Sequence, residues 1–323
     1  MARRTVDSTA IDGLVERTRT GDPRAVARLI SLVENDSPKL REVAATLAPH
    51  RGHAQIVGLT GAPGVGKSTT TNALVATLRA AGNRVGVLAV DPSSPFSGGA
   101  LLGDRVRMQD HATDDGVFIR SMASRGQLGG LSAAVPQALR VLDVAGCDVV
   151  LVETVGVGQA EVEIASLADT TLLVLAPGMG DGIQAAKAGI IEIADVFVVN
   201  KADRDGADQV ARDLRYMQSL GGRHSDTGAW RPPIVKTSAA RGAGIDDVIA
   251  AIQKHRSWME QHGELERRRQ ARAATEIEAI ALGEVRQRFA SVHGSAALDA
   301  AAARVVDGAT DPYAAAEGLI ASL

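Results

Sequence analysis

Between about residues 54 and 253 the chain alternates short apolar runs with longer amphipathic stretches. The runs Gln55–Thr60, Arg84–Val90, Val117–Ser121, Val149–Glu153, Thr171–Ala176, Val196–Asn200 and Ile234–Thr237 predict strands. Most are continuous rather than alternating, the pattern of strands covered on both faces. Helices are predicted over 67–81, 131–145, 181–194, 207–220 and 245–254. Strand followed by helix, repeated, makes a mostly parallel sheet joined by right-handed crossovers.

The flanks have a different texture. Residues 8–49 predict two or three short helices, with Leu29, Ile30, Leu32 and Val33, then Leu40, Val43, Ala44 and Leu47, at helical spacing. Asp22-Pro23 reads as an N-cap followed by a first-turn proline, and Ser37-Pro38 repeats the arrangement. Beyond residue 254, Glu264 to Phe289 predicts a helix with Ile277, Ile280, Leu282 and Val285 on it, and Ala296–Ala303 and Pro312–Leu323 predict two more. The run Arg267-Arg268-Arg269 reads as a solvated helix face. The expected class is α/β: a mostly parallel central sheet flanked by helices (54–254), with an N-terminal helical extension (1–53) and a C-terminal helical arm (255–323).

Composition removes several function classes. A formal net charge of −3 gives no global field for nucleic acid or anionic lipid, and 2% aromatics leaves little for stacking bases. The single cysteine, Cys147, cannot build a disulfide framework or a thiolate cluster. No apolar run reaches the roughly 18 residues of a membrane span, and Met1–Thr20 has no apolar signal core. The expectation is a cytoplasmic protein with no nucleic-acid or membrane partner.

The chemistry starts at Gly61-Ala62-Pro63-Gly64-Val65-Gly66-Lys67-Ser68, which fits G-x-x-x-x-G-K-S/T at every fixed position. A strand precedes it and a helix opening with Thr69 and Thr70 follows, so the fold is expected to be that of a P-loop NTPase. Glycines let successive N–H groups turn inward around a phosphate chain, and the helix dipole faces the same anion. Lys67 is placed to reach the β- and γ-phosphates, and Ser68 to ligate Mg²⁺.

Asn200-Lys201-Ala202-Asp203, at the end of the run Val196–Val199, decides between purines. A carboxylate there accepts from the ring N–H and exocyclic amine of guanine; adenine offers neither donor in that arrangement and would leave the acid unpaired. The Lys201 stem can lie along the base. Ser238-Ala239-Ala240, ending the last strand, matches the element whose main-chain N–H meets the guanine carbonyl. Four residues alone also describe an Asx-type turn; behind a P-loop and before this second element they read as a GTP/GDP site.

Acids fall where a metal and moving loops belong. Asp91 ends one strand, Asp104 sits in the glycine-rich stretch Ser97–Arg107, and Glu153 opens Glu153-Thr154-Val155-Gly156, a D-x-x-G-like element with glutamate first. Hard carboxylate oxygens suit Mg²⁺, directly or behind its waters. Candidate metal residues are therefore Ser68, Asp91, Asp104 and Glu153, and candidate catalytic residues Lys67, Asp91, Glu153 and Gln159. The position after the D-x-x-G-like glycine, where small GTPases carry a water-orienting glutamine, is Val157; Gln159 lies two residues on. Slow unassisted hydrolysis follows. A second glycine-rich stretch, Pro177–Gly189, follows the Thr171–Ala176 strand.

Together Asp91-Pro92-Ser93-Ser94, Leu102-Gly103-Asp104-Arg105-Val106-Arg107-Met108, Glu153–Gln159 and Gly178–Gly189 resemble the MeaB/ArgK-type GTPases over about residues 10–290. The resemblance implies a chaperone that gates adenosylcobalamin loading and protects or reactivates an acyl-CoA mutase, chiefly methylmalonyl-CoA mutase. It implies a homodimer formed through the C-terminal arm. It also implies a first switch around Asp104, a second over Glu153–Gln159 and a third over about Gly178–Lys187, with Gln184 and Lys187 communicating with the mutase.

Two alternatives stand beside this reading. A metal-insertion GTPase needs a Cys or His cluster, whereas Cys147 is single and His50, His53, His111, His224, His255, His262 and His293 are scattered, each read as an ordinary surface or partly buried histidine. A phosphotransferase (kinase or ATPase) linked to basic amino-acid transport needs an acceptor site, for which the sequence offers no further base.

Overall fold

The structure, a computed structural model, describes residues 2–35, 37–50, 52–91, 111, 113–123, 134–154, 160–178, 191–220, 228–290 and 296–321. Its centre is a sheet of β1 (Gln55–Thr60), β2 (Val85–Asp91), β3 (Val117–Ala123), β4 (Val149–Thr154), β5 (Thr170–Leu175), β6 (Val196–Val199) and β7 (Ile234–Lys236). The strand order is β3-β2-β4-β1-β5-β6-β7, and every pairing is parallel. All seven predicted strands are present, shifted by two residues at most.

Helices cover both faces, which is why the strands read as unbroken apolar runs. On one face α4 (Lys67–Ala80) and α8 (Ile245–Gln261) pack on Val57, Leu59, Leu151, Leu172 and Val174. The other face carries α5 (Ala134–Val144), α6 (Ala160–Leu167) and α7 (Ala207–Leu220). Side chains such as Leu59, Leu172 and Phe197 are fully buried, each contributing about 1.5–3 kcal/mol. The N-terminal helices α1 (Ala2–Arg19), α2 (Pro23–Glu34) and α3 (Leu40–Leu47) join the same core through Ile11, Val15, Leu29, Ile30 and Leu47. Residues Met1–Gln270 form one compact unit and Ala271–Leu323 a second, built from the rest of α9 (Glu264–Ala290), α10 (Ala296–Val306) and α11 (Pro312–Ala321).

Local rules account for most boundaries. Asp22 caps α2 by accepting from the N–H groups of Arg24 (2.8 Å) and Ala25 (3.3 Å), with Pro23 in the first turn. Ser37-Pro38 differs from expectation. Its hydroxyl accepts from Lys39 N–H and its carbonyl from Leu40 N–H, so these residues make a turn and the α-helix starts only at Leu40. Helix α8 outruns its prediction by seven residues because His255 and Met259 continue the inward face beyond residue 254. The predicted helix 181–194 lies mostly outside the described residues, as do 131–133 of the one that becomes α5.

The N-terminal ends of the strands share one device. The residue before each of β4, β5 and β6 is an aspartate, and each carboxylate accepts a main-chain N–H from an adjoining strand start: Asp148 from Arg84 (2.7 Å), Asp169 from Ile56 (3.0 Å), Asp195 from Thr171 (2.8 Å). Two of these buried acids are answered by α9. Arg268 forks onto both oxygens of Asp195 at 2.8 and 2.9 Å, and Arg269 reaches Asp169 at 3.3 Å and the Ala54 carbonyl at 3.2 Å. This corrects the solvated-face reading of Arg267–Arg269: two of the three guanidinium groups are docked, because the sheet base presents carboxylates that need partners.

His255 also departs from expectation, being completely buried beside these acids. Gln55 Nε2 donates to Thr170 Oγ1 (3.4 Å), which lies 3.0 Å from His255 Nδ1, and His255 Nε2 is 3.4 Å from Asp195 Oδ1. Burial pushes the imidazole down to about 4 in spite of Asp195, so the ring is neutral at neutral pH. Both tryptophans of the chain gather here. The Trp230 ring is 4.7 Å from His255, Trp258 stacks 4.9 Å from His262, and the two indoles are 5.7 Å apart.

Candidate functional site

The site lies at the C-terminal ends of the strands, where β1 has β4 on one side and β5 on the other. Connections leave in opposite directions there and open a crevice for a ligand. The loop from β1 to α4 shapes it. Gly61 (φ 142°) lies so close to β5 that a Cβ would stand 2.2 Å from the Val174 carbonyl oxygen. At Gly66 (φ 98°) a Cβ would meet Asn200 Nδ2 at 2.4 Å. Both positions admit only glycine, for approach as much as for dihedral. Val65 is anchored in the core, while Pro63, Gly64, Ser68 and Thr69 are exposed around the cradle. The N-cap of α4 is Gly66, which has no side chain to cap the helix, and the positive end of the helix dipole there suits an anion. The Lys67 ammonium is buried over the loop, donating to the carbonyls of Gly61 (2.6 Å) and Ala62 (3.1 Å).

The base side is joined to this loop directly. Asn200, at the tip of β6, donates through Nδ2 to the Val65 carbonyl (2.9 Å) and accepts at Oδ1 from Thr237 Oγ1 (3.2 Å) and Ala239 N–H (3.1 Å). It therefore pins the P-loop, β6 and the Ser238-Ala239-Ala240 turn together, a role the sequence reading did not give it. Lys201 adopts φ 56° and donates to the Gly64 carbonyl at 2.6 Å, so its stem spans the same gap. Asp203 is exposed at the rim; Ser238 Oγ donates to its Oδ1 (2.8 Å) and Arg241 lies 3.4 Å from its Oδ2. The Ser238 hydroxyl, with Arg241 nearby, holds the Asp203 carboxyl below the usual carboxylate range.

On the phosphate side Glu153 is the next-to-last residue of β4, buried and opposite Leu59 of β1. Ser68 Oγ donates to its Oε1, and Thr71 Oγ1 lies 3.1 Å from its Oε2. Thr71 was missed by motif reading; its signal was the spacing of three from Ser68, which puts both hydroxyls on one side of α4. Arg241 was missed as well, lying two residues past the Ser238-Ala239 pair. Asp91 closes β2 beside β4, and its side chain is outside the described residues. Asp104, Gln159, the rest of the Val155–Gln159 stretch, and Gln184 and Lys187 also lie outside them. Cys147 is buried and its thiol is pushed up to about 12 by that burial, which removes it as a nucleophile.

Comparison with known proteins agrees with this geometry. A family model described as methylmalonyl Co-A mutase-associated GTPase MeaB matches residues 26–293. A putative GTPase of Pyrococcus abyssi is 49% identical over 310 residues, covering 96% of each chain. The methylmalonic aciduria type A homolog, mitochondrial, of Mus musculus is 36% identical over 275 residues, covering 80% of this chain and 66% of that one. Among solved structures, one described as an LAO/AO transport system kinase superposes with a TM-score of 0.71 at 28% identity, covering 96% of both chains.

Proposed function

The chain belongs to the methylmalonyl-CoA mutase-associated GTPase family, and on that premise we propose that this GTPase is a chaperone for an adenosylcobalamin-dependent acyl-CoA mutase, most simply methylmalonyl-CoA mutase. In this reading GTP hydrolysis gates cofactor loading and the protection or reactivation of the mutase. The observation that supports it is the match of a mutase-associated family model to residues 26–293, within which Asn200 ties the candidate base element to the candidate phosphate loop.

The proposed chemistry follows from the residues present. Lys67 leaves the Gly61 and Ala62 carbonyls for the β- and γ-phosphate oxygens, which are the stronger acceptors. Gly61, Ala62, Pro63, Gly64, Val65, Gly66 and Thr69 wrap the phosphates through the main chain, and Asp203 takes the guanine N–H groups within the frame of Asn200, Lys201, Ser238, Ala239 and Ala240. The oxygens of Ser68 and Glu153 fit a hard cation, with Asp91 and Asp104 as further candidates. Mg²⁺ bound there supplies neutralising charge at the β- and γ-phosphates. With Val157 in the water-orienting position, hydrolysis by the isolated protein is slow and the mutase or Gln159 completes the site. A turnover of about tens per second for the isolated protein, the pace of an assisted GTPase, contradicts this.

The protein is proposed to work in the cytoplasm as a homodimer. Ile277, Ile280, Leu282 and Val285 of α9 are about half or more exposed, an apolar stripe suited to a second copy. Among the described residues no helix is long and apolar enough to cross a membrane. The deciding experiment is co-purification with candidate acyl-CoA mutases, with and without a non-hydrolysable GTP analogue. Nucleotide-dependent retention of one mutase is expected; failure to retain any in either state overturns the partner assignment.

A further inference from the structure

Glu153 is held at two points. It lies on the same face of β4 as Leu151, so its side chain turns towards α4, where it is 1% exposed. Oε1 accepts a hydrogen bond from Ser68 Oγ, and Oε2 faces Thr71 Oγ1 at 3.1 Å. Thr71 is fully buried, and its hydroxyl is also 3.0 Å from the Lys67 carbonyl. One proton has two acceptors to choose from. The Lys67 carbonyl already serves the helix ladder, whereas a carboxylate is the stronger acceptor, so the proton belongs to Glu153.

A neutral hydroxyl ligates a hard cation through a lone pair, which requires its proton to point elsewhere. Ser68 meets that condition by pointing its O–H at Glu153 as a hydrogen-bond donor. The carboxylate must then stay aimed at Ser68, and a group behind a ligand fixes it in this way. We propose that Thr71 is a positioning residue: it fixes the Glu153 carboxylate so that Glu153 orients the Ser68 hydroxyl towards the divalent cation that accompanies the nucleotide. The inference rests on the reading of Ser68 and Glu153 as the cation site.

The test uses the full-length protein loaded with a fluorescent GDP, titrated with Mg²⁺ while nucleotide release is followed; Mn²⁺ binding by electron paramagnetic resonance gives a second readout independent of turnover. Thr71→Val keeps the shape and removes the hydroxyl; Thr71→Ser keeps the hydroxyl. Thr71→Val is expected to raise the Mg²⁺ concentration for half-maximal retention about tenfold, the usual scale for a group behind a metal ligand. GDP affinity in EDTA should be unchanged, and Thr71→Ser should restore the Mg²⁺ midpoint. An unmoved midpoint in Thr71→Val, a shift that Thr71→Ser does not restore, or an equal loss in EDTA overturns the proposal. Glu153→Gln separates the two levels. If it leaves the midpoint unmoved, the cation-site reading itself fails; if it shifts the midpoint and Thr71→Val does not, only the role of Thr71 falls.

Discussion

Asn200 Nδ2 donates to the carbonyl oxygen of Val65 at 2.9 Å, so the strand end proposed to read the base and the loop proposed to hold phosphate are tied directly together. The same side chain receives Ala239 N–H on its other atom, which brings the last strand into the same tie.

Asn200→Ala is therefore expected to weaken GDP and GTP together, by about tenfold or more, since it strands a buried carbonyl and a buried N–H at once. Calorimetric titration with each nucleotide checks this; unchanged affinity would show that the loop holds its shape without the tie.

Asp203→Asn should move preference from GTP towards XTP, because the amide now offers a donor where xanthine has an oxygen. Competition binding of the two nucleotides reads the exchange, and an unaltered guanine affinity contradicts the base-site assignment. The acidity of Asp203 gives a second check. Its folded value is depressed, so the carboxylate persists as pH falls through the usual range, and guanine affinity declines only at still lower pH.

His255 makes stability depend on pH. Its folded value, about 4, lies below the ordinary value of about 6.5, so the unfolded chain takes up the proton first as the medium acidifies. Stability should be full above about pH 6.5 and fall by about 3 kcal/mol by about pH 4, from this group alone. Denaturant midpoints measured across that window should show the slope, and His255→Gln should flatten it.

Arg268→Ala removes the fork on Asp195 and leaves a buried carboxylate short of its charged partner. A loss of about 3 kcal/mol is expected, well above the cost of severing an exposed ion pair. Urea unfolding compares it with Arg267→Ala, an exposed arginine paired with Glu264 of the same helix, whose loss should be nearly silent.

Ile277→Asp with Ile280→Asp places two charges on the exposed stripe of α9. Light scattering should then report a monomer that still binds GDP. A dimer that persists would place the contact between copies elsewhere.

The sheet could be read from the sequence because its strands are covered on both faces and so announce themselves as unbroken runs; Gln55–Thr60 appears with its predicted limits. The P-loop was legible for a related reason, since Gly61 and Gly66 tolerate no side chain. What escaped were polar contacts between residues far apart in the chain. Nothing local to Arg268 tells that Asp195, 73 positions earlier, waits beneath it. Thr71 looks like any helix threonine until β4 brings Glu153, 82 positions later, alongside. His255 was read as an ordinary surface or partly buried histidine because nothing near it in sequence announces Thr170, 85 positions earlier, or Asp195, which surround it in the fold.

Because Trp230 and Trp258 are the only indoles in the chain and lie together at the sheet base, the protein has a built-in optical gauge aimed away from its nucleotide. β5 spans six residues, about 20 Å of extended backbone between the two ends. Ultraviolet emission should thus ignore the mere arrival of a purine. Any brightening or dimming on adding GTP would signify a displacement relayed down the strands to the root of α9.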